Sequence, residues 1–197
     1  LLTAAFTLKN MLARVRDRYD IIIIDTQGKD GRGQLQELAL VASDIVVVPT
    51  TPDMISAQEL PRVIQIYSNV VRGLEAMGIG SEQPPVLRIL VNREDHTTET
   101  RNAIASIVIL RIRKNFGAIA RHIAVLRATI PQRVVWRQCI SERRPAHRIE
   151  YGREDVRNAL PVMEAVVHEL LPHYGDLTLD GTCKAAASGK EGGPDVH

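Results

Sequence analysis

Aromatic residues and cysteines are scarce in this chain of 197 residues. Aromatics make up 4% of it and hydrophobic residues 45%, so the core has to be built from aliphatic side chains. Such a composition favours a parallel sheet covered by helices over an all-β sandwich. The two cysteines, Cys139 and Cys183, lie far apart and have no further Cys or His at ligand spacing, which argues against a metal site built on cysteine.

Long hydrophobic runs are also missing. The two longest compact apolar runs, 21–24 and 45–49, have the length of a strand and fall far short of the roughly 18 residues that a membrane span requires. The first residues lack the basic n-region of a signal peptide, so we expect neither a membrane span nor a secretion signal. The chain also begins without Met, and we expect a truncated N-terminus.

Helical and strand-like patterns alternate along the chain. Continuous β-branched runs such as Ile21–Ile24 predict strands that are buried on both faces. Apolar residues at helical spacing predict that the segments between these strands are helices. Strands are predicted at 21–24, 45–48, 86–91 and 123–130, and helices at 7–18, 35–41, 56–77, 97–116, 133–139 and 154–171.

This alternation predicts an α/β fold, doubly wound, with a mostly parallel sheet and helices on both faces. One domain is expected over 1–174. From 175 to 197 the composition shifts to Gly, Asp, Thr, Lys, Ala and Ser without hydrophobic periodicity, which predicts a disordered polar tail.

Turn-forming and polar residues follow each predicted strand. The sequence Asp25-Thr26-Gln27-Gly28 comes directly after the isoleucine run. A carboxylate there can hold Mg²⁺ through a water molecule, because Mg²⁺ keeps most of its hydration shell. A Gly at the fourth position allows its backbone N–H to approach a γ-phosphate oxygen. We therefore assign Asp25 as the Mg²⁺ residue of a nucleotide switch and Gly28 as its phosphate sensor.

Four segments, in order, resemble the ParA/MinD family of deviant-Walker ATPases. Tyr19 to Thr26 (YDIIIIDT) is similar to the second nucleotide motif of that family. Leu38 to Pro52 (LALVASDIVVVPTTP) resembles the helix, strand and loop after it, and Leu90 to Arg93 (LVNR) resembles a strand that ends in an adenine-contacting Asn. Thr129 to Pro145 (TIPQRVVWRQCISERRP) resembles the segment near the nucleotide base.

The resemblance implies a P-loop NTPase-like fold that binds ATP and Mg²⁺. By matching position it implies nucleotide contacts from the ends of the third and fourth predicted strands: Asn92, Arg93, Pro131, Gln132 and Arg133.

The phosphate-cradling loop of such ATPases is absent from the sequence. Neither G-x-x-x-x-G-K-[ST] nor K-G-G-x-x-K-[ST] occurs in the chain, and in the family this loop precedes the motif at Asp25. Phosphoryl transfer depends on positioning and electrostatics, to which that loop contributes its Lys and backbone amides. We expect the domain to be N-terminally incomplete, so that this chain alone neither holds ATP tightly nor hydrolyses it appreciably.

Positive charge is concentrated in one part of the chain. The net charge is +2, but the stretch from Arg88 to Arg157 holds 15 Lys or Arg residues against 7 Asp or Glu residues. This excess indicates either a surface that attracts nucleic acid or the solvated side of helices. The resemblance implies non-specific DNA binding, for which the candidates are Arg111, Arg113, Lys114, Arg143, Arg144, Arg148 and Arg153.

The sequence thus predicts an ATP-dependent DNA-segregation protein for plasmid or chromosome partition. The resemblance implies a cytoplasmic, nucleoid-associated homodimer with a centromere-binding, ParB-like partner. Two alternatives stay open: a non-catalytic DNA-binding or regulatory module, and a MinD-like ATPase of the membrane surface. The second alternative conflicts with the Gly-rich polar tail, which lacks a basic amphipathic helix.

Overall fold

The computed structural model describes residues 2–26, 34–78, 84–94, 116–150 and 157–174. Its helices are α1 (Leu2–Ala13), α2 (Gln34–Ala42), α3 (Met54–Ala76), α4 (Val135–Glu142), α5 (Ala146–Ile149) and α6 (Ala159–Leu170). Its strands are β1 (Ile45–Thr50), β2 (Val86–Glu94), β3 (Ile123–Val125) and β4 (Ile130–Pro131). Short 3₁₀ turns lie at Arg16–Arg18, Gly117–His122 and Pro172–Tyr174.

The described strands form one parallel sheet with β2 at its centre. β1 pairs with one edge of β2, with Ile45 opposite Val86, and β3 pairs with β2 from Leu87 to Ile89. β4 pairs with β2 further along, where Asn92 lies opposite Ile130. The predicted α/β class with a mostly parallel sheet is confirmed.

The main hydrophobic core lies between this sheet and α3. The side chains that α3 buries recur at helical spacing, and they pack with Leu87 and Ile89 of β2 and with Leu40 and Val41 of α2. The buried hydrophobic residues of α3 are Leu60, Ile64, Tyr67, Val70, Val71 and Leu74. This packing explains why α3 continues through Pro61, although proline removes one hydrogen bond from a helix.

The prediction of a strand at Ile21–Ile24 is wrong for this structure. The segment from Asp20 to Thr26 has no regular secondary structure, and Ile21, Ile22 and Ile23 are 49%, 39% and 86% exposed. A β-branched run forms a strand only where a neighbouring strand receives its backbone hydrogen bonds, and none of the described strands pairs with it.

Other boundaries differ for local reasons. The predicted strand at 123–130 is split into β3 and β4, because two additional residues are accommodated opposite β2 between the two pairings. The predicted helix at 154–171 begins instead at Ala159, so that Pro161 occupies its first turn, where proline is tolerated. The predicted helix at 97–116, apart from its last residue, and the polar tail lie outside the described residues.

In the described part of the chain, no helix combines the length and apolar character needed to cross a membrane.

Candidate functional site

The carboxyl ends of β1, β2 and β4 meet at one edge of the sheet, because all described strands are parallel. After β1, the Thr51 hydroxyl donates a hydrogen bond to the Asp53 carboxylate. At the end of β2, the Glu94 carbonyl accepts a hydrogen bond from the Gln132 backbone N–H at 3.1 Å. The structure therefore brings together the predicted nucleotide residues of β2 and β4. Ligands of open parallel sheets bind at such an edge.

Asn92 and Arg93 form a tight local turn at the end of β2. The Asn92 side-chain oxygen accepts a hydrogen bond from the Arg93 backbone N–H at 2.9 Å, and Arg93 has a left-handed φ of 56°. Residues other than glycine rarely adopt this backbone conformation, and where they do it often marks a functional turn. The Asn92 amide NH₂ has no protein partner within the described residues, so it is the group of this side chain that can donate to a base.

The backbone of Pro131 and Gln132 is already engaged within the protein. The Pro131 carbonyl accepts a hydrogen bond from the Trp136 indole N–H at 2.9 Å, while the Gln132 N–H bonds to Glu94. A carbonyl oxygen has two lone pairs, so Pro131 keeps one acceptor site. The contact of Pro131 and Gln132 with a base stays a prediction. Any such contact has to use groups other than the Gln132 N–H and the bonded lone pair of the Pro131 carbonyl.

Arg133 connects the loop after β4 to the end of α5 and to the residues that precede α6. Its Nη2 bonds and ion-pairs with Glu150 Oε1, and its Nη1 donates to the Arg157 carbonyl at 2.7 Å and to Asn158 Oδ1 at 3.0 Å. The second Glu150 oxygen accepts the backbone N–H of Ala159 at 2.8 Å. Glu150 thus connects the loop after β4 to the first turn of α6, where a negative charge is favourable. The Arg133 guanidinium is therefore fixed by Glu150, Arg157 and Asn158, and we call these contacts the Arg133 clamp.

Replacement of Glu150 by Gln is expected to lower the free energy of unfolding by about 2 kcal/mol, because two charge-assisted hydrogen bonds become weaker. Urea denaturation measures this change. Glu142→Gln removes the same charge from an exposed position on α4 and is expected to change stability by less than about 0.5 kcal/mol. Equal losses of unfolding free energy in the two variants would contradict a stabilising role of the contacts made by Glu150.

Two further acidic side chains order this region, and sequence reasoning missed both. The Glu169 carboxylate on α6 accepts the backbone N–H of Arg127 at 2.8 and 2.9 Å and that of Ala128 at 2.9 Å. The Glu94 carboxylate accepts the Thr129 hydroxyl. Together they hold the chain between β3 and β4, which leads into Pro131. No local pattern signals these contacts, since their partners are 35 to 42 residues apart.

The predicted switch is not assembled in the described residues. Asp25 is exposed on irregular backbone, and none of the described hydrogen bonds links it to the sheet edge. Gly28 lies outside the described residues, so its role as phosphate sensor stays a prediction. An exposed carboxylate suits a Mg²⁺ ion that keeps its water shell and takes its remaining ligands from phosphate. The described residues contain no cluster of three or more acidic, His or Cys side chains that could hold a metal ion.

Three of the predicted DNA-binding residues lie together at the end of α4 and on α5. Arg143, Arg144 and Arg148 are exposed, and Arg144 Nη2 donates to the Arg148 carbonyl at 3.2 Å. Arg143 ends α4 with a left-handed φ of 51°. The remaining candidates lie outside the described residues: Arg111, Arg113, Lys114 and Arg153.

Comparisons with known proteins each match only part of the chain. Residues 2–76 match the family model described as an AAA domain. A curated relative, the virulence plasmid ParA family protein pGP5-D of Chlamydia psittaci, is 35% identical over 68 residues. That match covers 34% of this chain and 26% of the relative, so the chain spans about a quarter of the relative's length. No solved structure matches.

The matched region contains α1, the segment at Asp25, α2, β1 and α3. The family match ends before β2, so it supports neither Asn92 nor the residues after β4 as nucleotide contacts.

Proposed function

We propose that this chain is a ParA-like partition ATPase that acts in ATP-dependent DNA segregation, because residues 2–76 match the AAA-domain family model and 68 residues are 35% identical to a ParA family protein. The observation that supports this proposal most directly is that the family match includes the YDIIIIDTQG segment, which carries both switch residues, Asp25 and Gly28. The proposed activity requires a phosphate-cradling loop, and the pattern of such a loop does not occur in this sequence.

Asp25 is the proposed Mg²⁺ residue. Its carboxylate orients a water molecule of the ion, while the Gly28 N–H donates to the γ-phosphate in the ATP-bound state and loses that acceptor after hydrolysis. When bound, Mg-ATP supplies the phosphoryl group that water attacks. Release of the segment around Gly28 would then report which nucleotide is present.

The ends of β2 and β4 are the proposed base-binding side of the site. The Asn92 amide NH₂ donates to a ring nitrogen of the base, and the second lone pair of the Pro131 carbonyl accepts from an exocyclic amine. Arg93 and Gln132 are exposed beside them and would cover the base. Arg133 contributes indirectly, because its clamp to Glu150 fixes the loop that contains Gln132.

Non-specific DNA binding is the proposed output of the ATP-bound homodimer. Arginine side chains that contact backbone phosphates release counterions from DNA, which gives affinity without sequence preference. A centromere-binding, ParB-like partner would stimulate hydrolysis and so release the dimer.

A salt titration tests the DNA contacts. Replacing Arg143, Arg144 and Arg148 together with Ser is expected to lower the slope of log affinity against log salt by about 2.7, since each lost phosphate contact contributes about 0.9. Fluorescence anisotropy with random-sequence duplex DNA measures it, with and without Mg-ATP. The control replaces Arg14, Arg16 and Arg18, three exposed arginines near α1. An equal slope change in that control would show that charge alone matters and would reject the assigned surface.

A second candidate function is a DNA-binding module without catalysis. The exposed position of Asp25 outside the sheet favours it, because a catalytic switch has to be held beside the phosphates. The same titration separates the two candidates. If the DNA affinity of the complete gene product rises with Mg-ATP, the segregation ATPase is supported. If the DNA affinity is the same with and without Mg-ATP, the module is supported.

A further inference from the structure

Two aliphatic side chains on α4 are exposed among arginines. Ile140 is 77% exposed and Val134, which precedes the helix with helical dihedral angles, is 59% exposed. Arg137 lies between them at a spacing of three residues to each, so all three side chains occupy neighbouring positions on one side of the helix. We call this side the α4 face.

Positive charge dominates around the α4 face. From 134 to 149 the exposed charged side chains comprise four arginines and one acid, Glu142. Arg133 is not part of this excess, since Glu150 neutralises it. The exposed arginines are Arg137, Arg143, Arg144 and Arg148.

A cavity of about 500 Å³ adjoins the α4 face at Val134. Val134, Val135 and Ile149 are its apolar lining residues, and Gln132 and Gln138 line it as well. Its size lies within the range in which proteins accept apolar groups. Because the Arg133–Glu150 pair on its wall is already neutral, the cavity itself does not call for an anion.

We propose that the α4 face and its cavity bind an acidic amphipathic segment of a partner protein. The carboxylates of the segment pair with Arg137, Arg144 and their neighbours. One of its apolar side chains enters the cavity beside Val134, while another covers Ile140. Interfaces of this kind draw their affinity from an apolar anchor in a pocket with charged contacts around it.

A polypeptide explains these features better than a nucleic acid does. The phosphates of a duplex would satisfy the arginines, but they would leave Val134 and Ile140 in water and the apolar cavity unfilled. A flat anionic bilayer would likewise not enter the cavity. The inference does not depend on ATP hydrolysis. It does share Arg143, Arg144 and Arg148 with the proposed DNA surface, so duplex DNA and the acidic segment are expected to compete.

Peptide binding to the 197-residue chain tests the proposal. The probe is a short fluorescent peptide with leucines at helical spacing and glutamates between them, and its dissociation constant is measured by anisotropy without nucleotide. We expect Ile140→Ser and Arg137→Ser each to weaken binding about tenfold. The matched controls Met77→Ser and Arg72→Ser, at exposed positions of and just after α3, are expected to leave it unchanged. Circular dichroism verifies that every variant is folded.

Two further measurements identify the ligand class. A second peptide with Ser in place of every leucine is expected to bind at least about tenfold more weakly, and Ile140→Ser is expected to leave duplex DNA affinity unchanged. Equal binding of the two peptides would overturn the proposal in favour of a general polyanion surface. Phosphatidylserine vesicles that bind with the same dependence on Ile140, while the peptide fails to bind, would overturn it in favour of a membrane. Both results leave the ATPase proposal untouched, because no step uses ATP.

Discussion

In the complete gene product, Asp25→Asn is expected to lower the rate of ATP hydrolysis about 10- to 100-fold, the usual effect of losing a side chain that orients a metal-bound group. The amide keeps the size of the carboxylate but has no negative charge with which to hold the hydration shell of Mg²⁺. Phosphate release at saturating ATP measures the effect. Raising the Mg²⁺ concentration is expected to restore part of the activity, since the variant binds the ion more weakly.

Asp20→Asn is the matched control. Asp20 and Asp25 are both exposed carboxylates, and they lie at the two ends of the same isoleucine run. Asp20 precedes the run and is not expected to approach the nucleotide, so its replacement should leave turnover unchanged. If both variants lose activity equally, the effect reflects damage to the segment and Asp25 has no specific role.

Tyr67→Ala is expected to lower the free energy of unfolding by about 3–5 kcal/mol, because it removes a fully buried ring from the interface between α3 and the sheet. Tyr67→Phe keeps the ring and loses only the hydrogen bond from the Tyr67 hydroxyl to the Pro85 carbonyl. We therefore expect it to lower the free energy of unfolding by about 1–2 kcal/mol. Urea denaturation measures both. Tyr19→Ala, at a 58% exposed ring, is expected to change stability by less than about 0.5 kcal/mol.

The same tyrosine predicts an alkaline loss of stability. Burial raises the pKa of Tyr67 from 10.0 to about 12, while the nearby Arg88 guanidinium opposes the shift. The unfolded chain therefore releases this proton near pH 10 while the folded chain still keeps it. The contribution of Tyr67 is fully present below pH 10 and is lost as the pH rises towards 12. A Tyr67→Phe variant whose stability falls as steeply over this interval would contradict this assignment.

The exposed isoleucine run shows where pattern reasoning fails. Ile21–Ile24 has the β-branched composition of a buried strand, as does Ile45–Val48. The second run is a strand because β2 lies beside it and receives its hydrogen bonds. The first has no such neighbour among the described strands, and three of its four side chains are exposed. Composition measures a propensity, whereas pairing depends on which other strands are present.

For the predicted nucleotide-binding residues, too, some features followed from the sequence and others only from the structure. The family resemblance implied Asn92 and Gln132 as nucleotide contacts, and the parallel sheet brings the ends of β2 and β4 together. That Arg133 turns to Glu150, and that Pro131 is bonded to Trp136, could not be read from the sequence. Both contacts depend on how α4, α5 and α6 pack against the loop after β4.

The amino-acid sequence by itself determined the α/β class, the order of α2, β1, α3 and β2, and the resemblance of residues 2–76 to an AAA-domain family. It did so because periodicity, turn residues and motif spacing are local properties of the chain. Only the tertiary structure decided that the run before Asp25 lies outside the sheet and that three glutamates, Glu94, Glu150 and Glu169, hold the region after β3. The physical reason is that a strand or a carboxylate is stabilised by partners that are distant in sequence, and no spacing along the chain records which partners those are.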